Sequence, residues 1–262
     1  MIDLFRRDGR PLVVGHRGAA GVAPENTLKG FRAAVAFGVD VVELDVFALA
    51  QGPFVVAHSD RLEEISHGVA RGRVGERTLA ELREIAPELL TLDETLAWFA
   101  DEAPSVGIQV DLKVRMRLDE VATSLEEHGV AERTVVSSVH PDALRAVARV
   151  SSRVRLGLTY PDDRLSLSRR RLLWPVVRAG LAGLSVSLPP RLPGILRRAG
   201  AGALMLQHRL VTSAAVERAH SVGVPVLTWT VDDPEEVERM DAAGVDGLIT
   251  NDPRIVMATL AS

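Results

Sequence analysis

The sequence predicts a (β/α)8 barrel, the TIM-barrel form of the α/β class, as a single domain over residues 1–262. Two observations predict it: short β-branched runs alternate with amphipathic stretches along the chain, and eight such runs fall within its 262 residues. Repeated strand–helix units form parallel sheets, and eight strands in about 250 residues favour a closed barrel. Glycines typical of helix ends follow four of the amphipathic stretches, at Gly38, Gly129, Gly223 and Gly244.

The eight predicted strands are Leu12–Gly15, Val39–Val46, Val106–Leu112, Thr134–Ser137, Val154–Thr159, Gly202–Leu206, Val224–Thr230 and Gly247–Thr250. The predicted helices are Thr27–Phe37, Leu79–Ile85, Leu92–Ala100, Leu118–His128, Asp142–Ala148, Ala214–Val222 and Glu235–Ala242. Gln51-Gly52-Pro53 predicts a turn, so that Phe54–Ala57 extends strand two as a small hairpin. Helix starts are predicted from Asn26 as an N-cap, a capping box at Thr91–Glu94, and Pro234 in the first turn.

Composition excludes several classes of function. The net charge of −4 and pI near 6.0 argue against nucleic acid as a partner, because no global positive field collects phosphates. The absence of cysteine excludes disulfides, zinc–thiolate sites and cysteine nucleophiles. Neither a signal peptide nor a membrane-spanning run is visible, so we expect a cytoplasmic protein.

Four polar clusters interrupt the first sixty residues: His16-Arg17-Gly18, Pro24–Thr27, Glu43-Leu44-Asp45 and His58-Ser59-Asp60. Two of these clusters end runs that are predicted to be buried strands. Charged and imidazole groups at such positions are costly unless they are paired or bind a ligand. The clusters therefore predict a functional site.

Paired acids at strand ends predict a metal site. Glu43 and Asp45 are two residues apart on a strand, so they share a face with a backbone spacing of roughly 6.6 Å. Asp111 and Lys113 repeat this alternation, which allows Asp111 to complete a three-carboxylate site. Oxygen ligands suit Mg²⁺ or Ca²⁺, or else Mn²⁺. The alternatives are solvated acids, a pair with Arg17, and an ordinary Asp–Lys pair at the rim.

The order HRG, PENT, ExD and a later histidine resembles the opening of the glycerophosphodiester phosphodiesterase family. The stretches Thr228–Pro234 and Gly244–Pro253 are similar to two further motifs of that family. The resemblance spans residues 12–254 and weakens at about 61–105 and 160–200. It implies a metal-dependent enzyme on a TIM barrel. The family usually has Glu-x-Lys where this chain has Asp111-Leu112-Lys113.

The resemblance also implies roles for individual residues. His16 and His58 match the catalytic acid–base pair, and Asp60 is a candidate to orient His58. Arg17 and Lys113 are suited to neutralise a phosphate. Asn26 is a further candidate for phosphate binding. Trp229 is expected either to form an apolar wall for glycerol or lipid, or to pack in the core.

The function that the resemblance implies is hydrolysis of glycerophosphodiesters to glycerol 3-phosphate and an alcohol. In that reaction the glycerol 2-hydroxyl attacks phosphorus, one histidine takes its proton, the other protonates the leaving alcohol, and water opens the cyclic phosphate. One alternative is a lysophospholipase-D-like enzyme that acts on lysophospholipids. Another is a degenerate barrel that serves as a non-catalytic binding module. The sequence leaves the oligomeric state open.

An arginine-rich segment at 164–198 falls between predicted strands five and six. It contains eight arginines and no acid, interleaved with Leu, Trp and Ile. This composition is typical of a segment that lies at an anionic lipid surface, which predicts peripheral membrane contact. The alternative is an ordinary barrel helix and loop whose arginines pair with acids elsewhere.

Overall fold

The computed structural model describes residues 1–66, 68–162 and 174–261, without the side chains of 174–179. Its strands are β1 (Leu12–Gly15), β2 (Val41–Ala48), β3 (Phe54–Val56), β4 (Gly107–Leu112), β5 (Thr134–Ser138), β6 (Arg155–Tyr160), β7 (Ala203–Gln207), β8 (Val226–Trp229) and β9 (Gly247–Thr250). All except β3 pair in parallel, in the order β1-β9-β8-β7-β6-β5-β4-β2, and β1 also pairs with β2. That last pairing closes the sheet, so the predicted (β/α)8 barrel is confirmed.

The helices largely surround this barrel. They are α1 (Leu28–Phe37), α2 (Leu62–Ile65), α3 (Leu79–Ile85), α4 (Leu92–Glu102), α5 (Leu118–Glu127), α6 (Pro141–Val150), α7 (Trp174–Ser187), α8 (Leu192–Ala199), α9 (Ser213–His220), α10 (Pro234–Ala242) and α11 (Pro253–Leu260). The sequence analysis did not predict α2, α7, α8 or α11. The seven predicted helices are present, with ends shifted by at most two residues.

The hairpin extension is also confirmed. β3 pairs antiparallel with β2, with Val46 opposite Val56 and Ala48 opposite Phe54. The polypeptide then continues through Ala57 to His58, which brings that imidazole back toward the end of β2. Ala57 N donates a backbone hydrogen bond of 3.1 Å to Asp45 O. The hairpin thereby positions His58 beside the acids of β2.

The predicted N-cap of α1 is wrong by one residue. Thr27, not Asn26, caps the helix, and its hydroxyl accepts a hydrogen bond of 3.2 Å from Gly30 N. Asn26 has a left-handed backbone with φ of 56°, and its side chain turns inward to Asp45. The reason is tertiary, because the Asn26 amide is already committed to a carboxylate of β2.

Two apolar layers follow from the alternation along each strand. One set of strand residues packs outward against the helices and forms the larger core. The other set points into the barrel, where Leu12, Val14, Val41, Met205 and Ile249 form a second cluster. Along each strand, every second residue points into the barrel. Polar residues therefore replace apolar ones at the carboxyl end of the barrel, where function resides in this fold.

The arginine-rich segment is described only in part. Its last portion forms α8, an amphipathic helix with Leu192, Leu196 and Ala199 buried and Arg197 and Arg198 exposed. This portion matches the alternative of an ordinary barrel helix. The residues 163–173, which include Arg169–Arg171, lie outside the described residues. None of the described helices is long and apolar enough to cross a bilayer.

Candidate active site

Three buried acids meet at the carboxyl end of the barrel, as predicted. Glu43 and Asp45 lie on β2, and Asp111 lies on β4 directly opposite Asp45 in the register. Their exposed fractions are 3%, 0% and 8%. One carboxylate oxygen from each lies within 4.8 Å of the other two. Such a set of close, buried oxygen ligands suits a hard divalent cation.

Asp45 lies at the centre of the charge network. Arg17 Nε lies 3.0 Å from Asp45 Oδ2, and Lys113 Nζ lies 2.8 Å from Oδ1. Both contacts are ion pairs to a carboxylate that is fully buried. Asn26 fixes the carboxylate from the other side, since Nδ2 donates to Oδ2 at 3.0 Å and Oδ1 accepts from Asp45 N at 3.2 Å.

Asp111 is held by hydroxyls from the next two strands. Ser137 Oγ donates to Asp111 Oδ1 at 2.6 Å, and Thr159 Oγ1 donates to the same oxygen at 3.2 Å. Lys113 Nζ donates to the other oxygen, Oδ2. Behind these groups, Gln109 Nε2 donates to Ser137 Oγ at 3.1 Å. The carboxylate of Asp111 is therefore oriented by residues that sequence motifs alone did not single out for this role.

The charges and pKa shifts of the three acids are those expected of a site that binds a cation. Burial raises the pKa of Glu43 well above its ordinary value, and repulsion from Asp45 and Asp111 raises it further. Burial alone would raise the pKa of Asp45, but Lys113 and Arg17 lower it overall. Among the described residues, the three acids face two permanent cations, Arg17 and Lys113. A divalent cation at Glu43, Asp45 and Asp111 would supply the missing positive charge.

The raised pKa of Glu43 predicts that metal affinity increases with pH. Without metal, Glu43 retains a proton at pH values where an ordinary glutamate is ionised. Binding a cation releases this proton, so the apparent affinity for Mg²⁺ should rise until Glu43 ionises by itself. Calorimetric titration with Mg²⁺ in buffers of different ionisation enthalpy measures the release. An affinity independent of pH, with no proton released, would contradict this prediction.

His16 lies at the end of β1 and is fixed by a chain of hydrogen bonds. Its Nδ1 lies 2.7 Å from Asn251 Oδ1, while Asn251 Nδ2 donates to Asp232 Oδ2 at 2.6 Å. Asn251 thus presents its oxygen, so Nδ1 of His16 carries the hydrogen and Nε2 carries the lone pair. Burial lowers the pKa of His16, and Arg17 lowers it further, which favours the neutral imidazole.

His58 has a different partner from the one the sequence suggested. Its Nδ1 lies 3.2 Å from Glu64 Oε2, on α2. Asp60, the predicted partner, instead accepts hydrogen bonds from Arg73 Nε at 2.6 Å and Gly75 N at 2.7 Å. Burial lowers the pKa of His58, whereas Asp45 and Glu64 favour its protonated form. The prediction that Asp60 orients His58 is therefore wrong.

Arg17 connects the acids to the loop after β1. Its backbone nitrogen donates to Glu43 Oε2 at 2.8 Å, and its Nη1 donates to Glu25 Oε2 at 2.8 Å. The backbone of Arg17 has a left-handed φ of 50°, which turns the side chain toward Asp45. The guanidinium is consequently held at the same mouth of the barrel as Lys113.

Trp229 lies at the end of β8, on the interior side of the barrel. It packs against the interior apolar cluster, and its Nε1 donates to Met205 O at 3.1 Å. It is half-buried. These contacts match the packing expected for a core residue, and the apolar wall for glycerol or lipid stays a prediction.

Comparisons with known proteins agree with this architecture. The sequence model of the glycerophosphoryl diester phosphodiesterase family matches residues 16–255. A glycerophosphodiester phosphodiesterase of Caldanaerobacter subterraneus subsp. tengcongensis is 28% identical over 95% of this chain and 97% of its own. A crystal structure from Silicibacter pomeroyi, named for the same family, is 26% identical with a TM-score of 0.78, covering 98% of this chain and 95% of its own.

One solved structure with the same fold contains a reaction product. An Oleispira antarctica phosphodiesterase in complex with sn-glycerol-3-phosphate superposes with a TM-score of 0.73 at 20% identity, covering 96% of this chain and 97% of its own. At this identity the likeness shows the fold alone. The family assignment depends on the match to residues 16–255. The chain belongs to the glycerophosphoryl diester phosphodiesterase family.

Proposed function

We propose that this protein is a metal-dependent phosphodiesterase that hydrolyses glycerophosphodiesters to glycerol 3-phosphate and an alcohol. The observation that carries the proposal is the meeting of three buried acids, two cations and two histidines at one end of the barrel. A non-catalytic barrel would not need this costly assembly of buried charge. That assembly therefore favours an enzyme over a degenerate binding module.

Glu43, Asp45 and Asp111 are the residues that would hold a divalent cation, Mg²⁺ or Ca²⁺, or else Mn²⁺. When bound, the cation supplies Lewis-acid stabilisation of charge on the phosphoryl oxygens. Arg17 and Lys113 supply fixed positive charge at the same mouth, for a phosphate that Asn26 also borders. Trp229 offers an apolar face to the glycerol moiety.

The hydrogen-bond partners of the two histidines indicate which one acts as the base and which one as the acid. His16 Nδ1 donates to a neutral amide, so its Nε2 lone pair is free to take the proton of the attacking glycerol 2-hydroxyl. His58 lies against the Glu64 carboxylate, which stabilises an imidazolium that can protonate the leaving alcohol. We therefore assign His16 as the base and His58 as the acid of the first step.

The second step restores both histidines. Water opens the cyclic phosphate, His58 takes a proton from this water, and His16 returns its proton to the glycerol oxygen. Each histidine thus completes one cycle of proton exchange, and no further residue needs to change protonation. The product is glycerol 3-phosphate with the proton balance restored.

Activity toward glycerophosphodiesters should require a divalent cation. We expect hydrolysis of glycerophosphocholine, with release of glycerol 3-phosphate, to be abolished by excess EDTA and restored by Mg²⁺, Ca²⁺ or Mn²⁺. A coupled assay for glycerol 3-phosphate measures this directly. Full activity in EDTA after dialysis, or no hydrolysis with any of these cations, would contradict the proposed function.

Exposed apolar side chains favour a second candidate, a lysophospholipase-D-like enzyme. Val22, Val69, Met116 and Val186 are 40%, 84%, 62% and 80% exposed. Each lies between the carboxyl end of one strand and the start of the next, Val22, Val69 and Met116 in loops and Val186 near the end of α7. Apolar side chains around the mouth suit contact with a lipid surface, from which a lysolipid headgroup would reach the site.

Vesicle binding tests this candidate. We expect the protein to co-sediment with anionic phosphatidylserine vesicles and Val186→Asp to weaken this binding several-fold. Val222→Asp is the matched control, because Val222 is 39% exposed and follows α9 at the opposite face. The contribution of Arg169–Arg171 is tested by serine substitutions at low and physiological salt. Absence of binding even at low salt would leave only the water-soluble diesters as substrates.

A further inference from the structure

Three side chains at neighbouring strand ends form a hydrogen-bonded relay that leads away from His16. Asp232 follows β8, Asn251 follows β9 and His16 follows β1, and these three strands are neighbours in the barrel. The backbone joins two of the ends directly, since His16 N donates to Thr250 O at 2.8 Å. Asp232 takes no part in the proton transfers of the proposed function, so its place in the relay needs another explanation.

The carboxylate of Asp232 fixes the orientation of the Asn251 amide. Its Oδ1 accepts from Asn251 N at 2.7 Å and from Thr250 Oγ1 at 3.0 Å, and its Oδ2 accepts from Asn251 Nδ2 at 2.6 Å. An ionised carboxylate only accepts hydrogen bonds. A flipped Asn251 amide would place its oxygen against a carboxylate oxygen with no hydrogen between them. Asn251 must therefore turn its Nδ2 to Asp232 and its Oδ1 to His16.

This orientation decides where the hydrogen of His16 lies. Asn251 Oδ1 is 2.7 Å from His16 Nδ1, so Nδ1 donates and Nε2 carries the lone pair. Nε2 is the atom that takes the proton of the glycerol 2-hydroxyl in the proposed function. In the other tautomer Nε2 carries the hydrogen and accepts no proton. Burial lowers the pKa of His16, which favours the neutral ring, the form in which the two tautomers exist.

We propose that Asp232 is a positioning residue that selects the reactive tautomer of His16 through the side chain of Asn251. The proposal rests on the proposed function and adds to it a residue that acts through another side chain rather than on the substrate. The alternative is a purely structural role, in which Asp232 only ties the loop after β8 to Asn251 N. The two roles differ in what they predict for the hydrogen on His16.

Asp232→Asn should invert this tautomer. The introduced oxygen must stay against Asn251 N, because a backbone N–H only donates. The introduced NH2 group then faces Asn251, whose amide must turn its oxygen to that group and its Nδ2 to His16. Nδ1 of His16 becomes an acceptor, and the hydrogen moves to Nε2. We expect kcat to fall about 10²-fold or more, as for loss of a base catalyst, with little change in KM.

Exchanging the amide and the carboxylate should restore the tautomer. In the double variant Asp232→Asn/Asn251→Asp, the introduced amide donates to the introduced carboxylate, which in turn accepts from His16 Nδ1. We expect the double variant to recover most of the kcat that Asp232→Asn loses. The comparison is made at the optimal pH of each protein, because a carboxylate beside Nδ1 favours the protonated ring.

Long-range proton–nitrogen NMR spectra of protein with isotope-labelled histidine measure the tautomer directly, in the absence of substrate. His16→Ala identifies the resonances of His16 by their loss. Asp233→Asn is the matched control, because it removes the same charge one residue away, where Asp233 caps α10 by accepting from Glu235 N at 2.9 Å. Asparagine caps helices equally well, so this variant should keep the parental tautomer and kcat.

A hydrogen that stays on Nδ1 in Asp232→Asn would overturn the proposal, and so would a double variant that recovers no activity. Asp232→Ala gives a second test, since Asn251 is then free to take both orientations and His16 should show both tautomers. A single Nδ1–H tautomer in Asp232→Ala would also overturn the proposal. A parent that hydrolyses no glycerophosphodiester would refute the proposed function instead, while the spectra would still support or overturn the selection of the tautomer by Asp232.

Discussion

Glu43→Gln should lower kcat/KM for glycerophosphodiesters by about 10²–10³ while leaving the metal-free fold at least as stable as the parent. The substitution keeps the shape of the side chain but removes one of three anionic ligands. Glutamine also cannot ionise. Burial and the neighbouring acids raise the pKa of Glu43, so its ionised form destabilises the metal-free protein.

The sign of this stability effect follows from linkage. A carboxyl whose pKa is raised on folding stabilises the fold below its unfolded pKa, and this stabilisation is lost as pH rises through the folded pKa. Metal-free Glu43→Gln should therefore gain in Tm relative to the parent as pH increases. Adding Mg²⁺ should raise the Tm of the parent but hardly that of the variant.

Asp45→Asn and Glu84→Gln complete this experiment. Asp45→Asn should lose activity equally, but it should also destabilise the metal-free protein, because Arg17 and Lys113 lose their shared anion. Glu84 is exposed on α3, so Glu84→Gln should leave both activity and Mg²⁺ stabilisation unchanged. Near-parental, metal-dependent activity in Glu43→Gln and Asp45→Asn would refute the assignment of the metal ligands.

His16→Ala and His58→Ala should each lower kcat by about 10² or more, the usual cost of removing an acid or base catalyst. Since both residues act in one proton-transfer sequence, the double variant should lose less than the product of the single losses. Burial lowers the pKa of both imidazoles, so the acidic limb of the parent's kcat/KM profile should lie below about pH 6.5. His16→Ala should lack this limb.

His128→Ala is the matched control for the histidine variants. His128 lies after α5 with its side chain 27% exposed, and it contacts Asp93 rather than the acids of the barrel. Its replacement should leave kcat and the pH profile unchanged. Circular dichroism and Tm must match the parent for each variant. Parental rates in either His16→Ala or His58→Ala would remove that residue from the catalytic pair.

The local alternation of apolar and polar residues was enough to predict most of the fold. Period-two runs such as Val39–Val46 and Val106–Leu112 predicted strands, and helix signals such as the Thr91–Glu94 capping box were formed as expected. Helices with weaker signals were missed. α7 has few polar residues to define a face, and α2 spans only Leu62–Ile65, so neither shows a clear amphipathic period.

The sequence alone also predicted which residues form the candidate site. His16, Glu43, Asp45, Asp111 and Lys113 were singled out because charged groups follow buried strands. The strands of a barrel end at one face, so these groups had to meet once the sheet closed. Because alternate residues of a strand point to the same side, Glu43 and Asp45 both point into the barrel. These conclusions required only local pattern and fold class.

The tertiary structure decided which groups contact one another. Glu64 rather than Asp60 faces His58, Asn251 orients His16, and the hydroxyls of Ser137 and Thr159 hold Asp111. These partners are distant in sequence or lie on different elements, and their types are common in turns and strands. Only the closure of the barrel and the path of the β3 hairpin bring them within hydrogen-bond distance. The repeat of apolar residues along a strand or helix does not specify which distant side chains will pair.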